Sequence, residues 1–303
     1  MPLFPFPDRR AALGLLLAGT SQFAGSTMQT AAKSLKALEA EAGGRLGVSI
    51  LDTSNGELVG HRQNERFALC STFKLILAAE VLRDIDLGLL QRDQFVSYNQ
   101  SDMVPHAPVT QAHLAEGGMR LIDLARATQV TSDNPAANLL IRLLGGPQAV
   151  TRRFREAGDR VTRLDRYEPM LNLVEPGSQF DTTSPAAMAR LVARYLIGDY
   201  LSDLAKRSLT GWLVETTTGL RRIRAGLPSG WRAGDKTGTV VGTNGQDFYN
   251  DVAIIWPPSH RPLIVAAYYN PAVSSAEINP LHEAVLASVG RIATTRAIIG
   301  WKA

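Results

Sequence analysis

The sequence predicts an α+β fold in which both ends of the chain build one antiparallel sheet and a helical block is inserted between them. Three observations carry this. Strand-like runs occur near the start, at Gly47–Asp52 and Glu57–His61, and again near the end, at Trp231–Thr239, Val252–Trp256 and Leu263–Tyr269. Between them, from Ser71 to about Gly211, apolar residues recur at helical spacing. No fixed-period repeat and no low-complexity linker separates these parts into independent units.

The N-terminus reads as a targeting segment. Arg9 and Arg10 precede the apolar run Ala11–Ala18, and small residues follow from Gly19 to Ser26. This is the pattern of an export signal over residues 1–27, cut after Ala24 or a few residues later, by the twin-arginine or the ordinary secretory route. No cysteine closes the apolar run, so no lipid anchor is expected there. A first helix is expected over Thr30–Ala42. Asn55-Gly56 between two strand-like runs is a strong hairpin signal.

Thr72–Leu82 is apolar almost all round, which predicts a buried helix. Leu121–Gln129 is amphipathic. Pro135–Leu144 has Asn134 as its expected N-cap, Pro135 at the first position and Gly145-Gly146 as its stop. Further helices are expected over Pro147–Glu156, Pro185–Leu196 and Leu201–Leu213. The last two strands are joined by Pro257–Pro262, and a helix over Pro280–Ile298 closes the chain.

Composition narrows the function classes. The chain has 303 residues, 45% hydrophobic and 20% charged, enough for a sizeable core. No long apolar run follows the N-terminus, so no membrane-spanning body is expected. The net charge of +4 raises the question of nucleic acid. The densest basic stretch, Arg152 to Arg166, is interleaved with Glu156, Asp159 and Asp165, and reads as a solvated, internally paired face. No P-loop, zinc-finger or RNP pattern is present. Cys70 is the single cysteine, so no intramolecular disulfide can form. It reads as a buried structural thiol.

Three short motifs carry candidate chemistry. Ser71-Thr-Phe-Lys74 puts a hydroxyl and an amine on one helical face. A serine needs a base to become a nucleophile, and a lysine with a lowered pKa can serve. Ser-x-x-Lys arises about once by chance in a chain this long, so alone it reads equally as an N-cap and a helix lysine. Ser132-Asp133-Asn134 lies in a polar loop, where capping explains Asp133 and Asn134 but not Ser132. Lys236-Thr237-Gly238-Thr239 lies in a strand-like run. Its glycine suits close approach of a ligand, and its threonines can donate to a carboxylate. A fourth segment, Arg163 to Asn172, places Glu168 and Asn172 four apart, where a carboxylate and an amide can hold one water. Glu168-Pro169 is a candidate cis bond. Arg166 and Asp181 can pair to close the segment as an Ω-loop.

In this order and on these elements, the motifs resemble those of class A serine β-lactamases over about Ala31 to Ile298. The resemblance implies a five-stranded antiparallel sheet flanked by helices beside an all-helical domain. It divides the chain into a signal at 1–27, an α/β part at 28–64 and 213–303, and a helical domain at 65–212. It implies hydrolysis of penicillins and cephalosporins through an acyl-enzyme on Ser71, and hence antibiotic resistance. Lys74, Ser132, Glu168, Asn172 and Lys236 would be the other catalytic residues. Asn134, Thr237, Gly238, Thr239 and Arg222 would bind substrate, and His106 would stand at the mouth, where many members have an aromatic residue. The backbone N–H groups of Ser71 and Thr239 would form the oxyanion hole. No metal, no cofactor, no nucleic acid and no membrane anchor is implied. The expected partner is a small-molecule β-lactam, and the expected protein an exported, periplasmic monomer. The family's cysteine-bridged carbapenem-hydrolysing subgroup is excluded for want of a second cysteine. The stretch Val240–Tyr249 resembles a connection longer than usual. The rivals are a D,D-peptidase, which should lack Glu168, and a β-lactam receptor that acylates and stalls. A Gly-x-Ser-x-Gly esterase elbow is absent around Ser71.

Overall fold

The computed structural model describes residues 30–300 apart from residue 244, without the side chains of 243 and 296–300. The expected export signal therefore lies outside the described residues. Helix α1 (30–42) leads into β1 (Arg45–Asp52) and β2 (Leu58–His61). Gly56, at φ +74°, makes the turn between these strands in a conformation that disfavours other residues. There follow β3 (Phe67–Ala68), α2 (Phe73–Asp86), β4 (Phe95–Ser97), β5 (Gly118–Arg120), α3 (Leu121–Val130), α4 (Asn134–Leu143), α5 (Pro147–Glu156), β6 (Thr182–Thr183), α6 (Pro185–Leu196) and α7 (Asp203–Glu215). The chain then returns as β7 (Arg232–Thr243), β8 (Gln246–Trp256) and β9 (Leu263–Asn270), and ends in α8 (Pro280–Gly300).

The sheet is five-stranded and antiparallel, in the order β2-β1-β9-β8-β7. Strand β1 therefore lies between a sequence neighbour and a strand from the far end of the chain. Successive side chains point to opposite faces, and here both faces are covered. Val252 and Ile254 of β8 join a core with α2, α3, α4, α6 and α7. Ala253 and Ile255 join a second core with Leu35 of α1 and Leu286 and Val289 of α8. Helix α2 runs through the first core. Its Leu75, Ile76 and Leu77 are almost wholly buried, each worth about 2 kcal/mol.

Four local expectations change. The cap of α4 is Asp133, whose side chain accepts from Ala136 N; Asn134 is drawn into the first turn because its amide serves the cleft. The Val240–Tyr249 stretch is mostly strand: β7 and β8 continue through it, with a register shift between Val240 and Thr243. The helical block is not all helical, since β3 pairs with β6 and β4 with β5. In the basic stretch, Arg163 does pair locally with Asp165 (2.6 Å). Arg153 instead turns inward, to Asp84 (2.8 Å) and Glu80 (3.0 Å) on α2.

Candidate active site

Ser71 sits in a 3-10 turn, Cys70–Thr72, that runs straight into α2. Cys70 has φ +42°, a left-handed conformation that costs a non-glycine residue about 1–3 kcal/mol unless its surroundings fix it. Leu69 N donates to Asp181 O (2.9 Å), and Thr72 Oγ1 to Leu69 O (2.7 Å). The Cys70 side chain is fully buried, and that burial pushes its thiol well above the ordinary range. It stays a neutral packing group.

One turn along α2, Lys74 is completely buried. Its Nζ donates to Ser132 O (2.9 Å) and Asn134 Oδ1, and lies 2.9 Å from Glu168 Oε1. Ser71 Oγ is 3.5 Å from the same Glu168 oxygen. The other carboxylate oxygen, Oε2, accepts from Asn172 Nδ2 at 2.6 Å. Serine, lysine, carboxylate and amide thus meet around one small space.

Glu168 is aimed inward by its loop. The Glu168-Pro169 bond is cis. Arg166 Nε donates to Asp181 Oδ2 (2.6 Å), and Asp181 Oδ1 also takes the Asp165 and Arg166 N–H groups. Burial raises the Asp181 carboxyl despite these donors. A further residue, not anticipated from the sequence, fixes Glu168 directly. Asn138 on α4 donates to Glu168 O and accepts from Glu168 N, both at 2.9 Å. The signal was there: an asparagine among Ala136, Ala137, Leu139 and Leu140 on a helix must find partners if buried.

On the opposite wall, Ser132 Oγ accepts from Lys236 Nζ (3.0 Å), which also donates to Thr237 O (2.8 Å). Burial, and then the positive charge of Lys74, depress the Lys236 ammonium well below the ordinary lysine range. Asp133 is buried and works structurally. It accepts from Val109 N, Thr110 N and Thr110 Oγ1 (2.8–2.9 Å), tying the segment after His106 to the cleft. His106 is exposed, with Nε2 2.9 Å from Thr131 O, so its ring lies against the backbone of this loop. Its own carbonyl accepts from Asn134 N, while Asn134 Nδ2 donates to Pro105 O. Cys70, His106, Ser132 and Asp181 are four of the six described non-glycine residues at positive φ. Strained backbone therefore gathers at this cleft, as it does at functional sites generally.

Strand β7 forms the remaining edge. A Cβ on Gly238 would stand 2.9 Å from Cys70 Cβ and 3.1 Å from Ser71 N, so only glycine lets the strand come this close. Thr237 Oγ1 is 2.7 Å from Thr218 Oγ1. Arg222 does not reach the cleft as the sequence suggested. It is 2% exposed and lies behind the strand, donating to Thr239 Oγ1 (2.7 Å), Gly238 O (3.2 Å) and Asn250 O (2.8 Å), with Glu283 as its ion-pair partner.

Fold and cleft together bring a serine hydroxyl and a lysine amine to one buried carboxylate oxygen, between an antiparallel sheet and a helical block. Comparison with known proteins narrows the class. The model of the β-lactamase enzyme family matches residues 30–297. Beta-lactamase L2 of Stenotrophomonas maltophilia is 45% identical over 265 residues, covering 87% of this chain and 85% of the relative. Beta-lactamase OXY-2 of Klebsiella oxytoca is 40% identical, covering 94% of each. Among solved structures, an ancestral class A β-lactamase superposes with a TM-score of 0.81 at 45% identity, covering 88% of this chain and 99% of that one. A β-lactamase from Xanthomonas campestris reaches 0.83 at 42% identity, covering 89% and 98%. The chain belongs to the β-lactamase enzyme family, in class A, and is an enzyme that hydrolyses β-lactams.

Proposed function

We propose that this enzyme opens penicillins and cephalosporins through an acyl-enzyme on Ser71, and that Glu168 activates the water that releases it. One observation carries this reading: Glu168 lies within 3.5 Å of Ser71 Oγ and is held by Asn172 at 2.6 Å. Ser71 Oγ attacks the lactam carbonyl carbon, its proton passing to Lys74 or, through water, to Glu168. The carbonyl oxygen becomes an oxyanion facing the N–H groups of Ser71 and Thr239, at about 3–4 kcal/mol per donor. Ser132, held by Lys236, relays a proton from Lys74 to the departing ring nitrogen as the C–N bond breaks. Glu168 then takes a proton from water, which attacks the ester carbonyl; as the C–O bond breaks, that proton is passed back to Ser71 Oγ and the acid is released.

Asn134 binds the substrate's side-chain amide. Lys236, Thr237 and Thr239 hold its carboxylate beside Gly238, with Arg222 acting through Thr239. His106 borders the mouth. No metal or cofactor is needed for these steps. The protein works as an exported monomer that confers β-lactam resistance, with the residues around the cleft supplied by an α/β part (28–64 and 213–303) and a helical part (65–212).

The test is stopped-flow kinetics and mass spectrometry on the wild type and Glu168→Ala with a penicillin and a cephalosporin. Turnover by the wild type and a lasting Ser71 adduct in the variant support the reading. A wild-type enzyme that itself stalls as an adduct overturns the role of Glu168 and points to a receptor or peptidase.

A further inference from the structure

We infer that Asn250 is a positioning residue that sets the spacing of the two oxyanion donors; this rests on the acyl-enzyme reading above. The donors belong to different elements. Ser71 N is on the 3-10 turn before α2, and Thr239 N is on β7. An oxyanion hole works only when both point at one oxygen, about 3 Å away. Something must therefore fix the turn against the strand.

Asn250 has the required connections. It stands opposite Gly238 in the β7–β8 register and is 1% exposed. Its side-chain Nδ2 donates to Ala68 O (2.9 Å) and more weakly to Leu69 O (3.4 Å), the two carbonyls that precede Cys70. Its own carbonyl accepts from Arg222 Nη1 (2.8 Å), which also donates to Gly238 O (3.2 Å). The same guanidinium holds Thr239 Oγ1 through Nη2 (2.7 Å). One residue is thus bound by its side chain to the segment carrying the first donor. It is bound by its main chain to the arginine that grips the residue carrying the second.

The amide is needed for two reasons. Ala68 is 3% exposed, and a carbonyl left without a donor in such surroundings is costly. Cys70 is held in a left-handed conformation, which persists only where its neighbours fix it. Glycine at 238 supplies close approach, and Asn250 supplies the bond that keeps the approach in register.

The test uses the purified full chain with Asn250→Ala and Asn250→Leu. The leucine variant keeps nearly the same volume without a donor, should the alanine variant fail to fold. Three quantities are read: the acylation rate with a penicillin, the affinity for phenylboronic acid, and the acyl carbonyl stretch. Phenylboronic acid forms a tetrahedral adduct on a reactive serine, and the infrared band is recorded on the adduct trapped in a Glu168→Ala background. Displaced donors lower acylation about 10- to 100-fold and weaken boronate binding in parallel. They move the carbonyl band to higher wavenumber, with little change in KM. A variant that melts earlier but keeps the wild-type band and boronate affinity overturns the positioning role alone. A wild type that forms no Ser71 adduct overturns that role together with the reading beneath it.

Discussion

Two buried lysines, Lys74 and Lys236, and the buried carboxyl group of Glu168 share this cleft. Lys74 Nζ lies 2.9 Å from Glu168 Oε1. Lys236 is left with hydroxyl and carbonyl partners, and burial together with the Lys74 charge depresses it. A depressed lysine loses its charge at a lower pH than usual, so substrate-carboxylate binding should fail on the alkaline side earlier than an ordinary lysine would dictate. Arginine stays charged across that range. In Lys236→Arg the alkaline limb of the kcat/KM profile should move to higher pH; an unmoved limb assigns it to another group.

The residues that meet in the cleft are legible because the proposed chemistry restricts residue type and spacing: Ser71 with Lys74, Glu168 with Asn172, and Lys236 with Thr237 and Gly238. Their supports were harder to see. Asn138 and Asn250 act through main-chain atoms far away in sequence, which no spacing rule encodes. Arg222 was read as a cleft residue because its burial depends on Glu283, an element away. Asparagine favours the cap position, but at Asn134 a tertiary bond to Lys74 outweighs that local preference.

At the scale of elements, the loop from Asp165 to Asp181 has a reciprocal closure. Asp181 takes the Asp165 N–H, and Asp165 takes the Asp181 N–H at 2.9 Å. Arg166 completes the clasp. Asp181→Ala removes three donors' common acceptor, so Glu168 should wander from Ser71 while the first chemical step survives. Pre-steady-state kinetics should show deacylation slowed at least about tenfold, with acylation changed less; equal losses in both would make the clasp a matter of general stability. The β7–β8 hairpin shows what sequence reading misses at this scale. Strand pairing runs to Val240 opposite Phe248 and resumes at Thr243 opposite Gln246, so Val241 and Gly242 form an irregularity inside the strand rather than a separate connection. Asp247 explains part of this, accepting from Gly242 N and from Ser275 N and Oγ and so fastening the hairpin to the segment before α8.

For the whole molecule, the fold class followed from the arrangement of strand-like and helical texture, and the two-faced sheet followed from having helices at both ends. Helix α1 is fastened to the β1–β2 edge by Glu39, which accepts from Leu46 N (2.8 Å) and Arg62 Nε (2.7 Å) and lies 2.9 Å from His61 Nε2. Burial alone would raise this carboxyl, but Arg62, the Leu46 N–H and His61 outweigh it and hold it at about 2 rather than 4.5. A lowered native pKa gives stability that is present above the unfolded value and lost as pH falls through the folded one. Calorimetry of Glu39→Gln should show a lower Tm than wild type at neutral pH, with the gap closing between about pH 4.5 and 2. A constant gap would mean that packing, not charge, fastens the helix.

The place of β1 between β2 and β9 bears on how the protein is made. Leu46 pairs with Tyr269 and Asp52 with Leu263, so the strand translated first must wait for the one translated last. At 5–20 residues per second the delay is on the order of ten to forty seconds. Through that interval the nascent chain carries an unpaired edge and half of an apolar layer. The β1–β9 pairing can form only once β9 has been made, so through that interval β1 holds no long-range strand partner and the five-stranded sheet stays open.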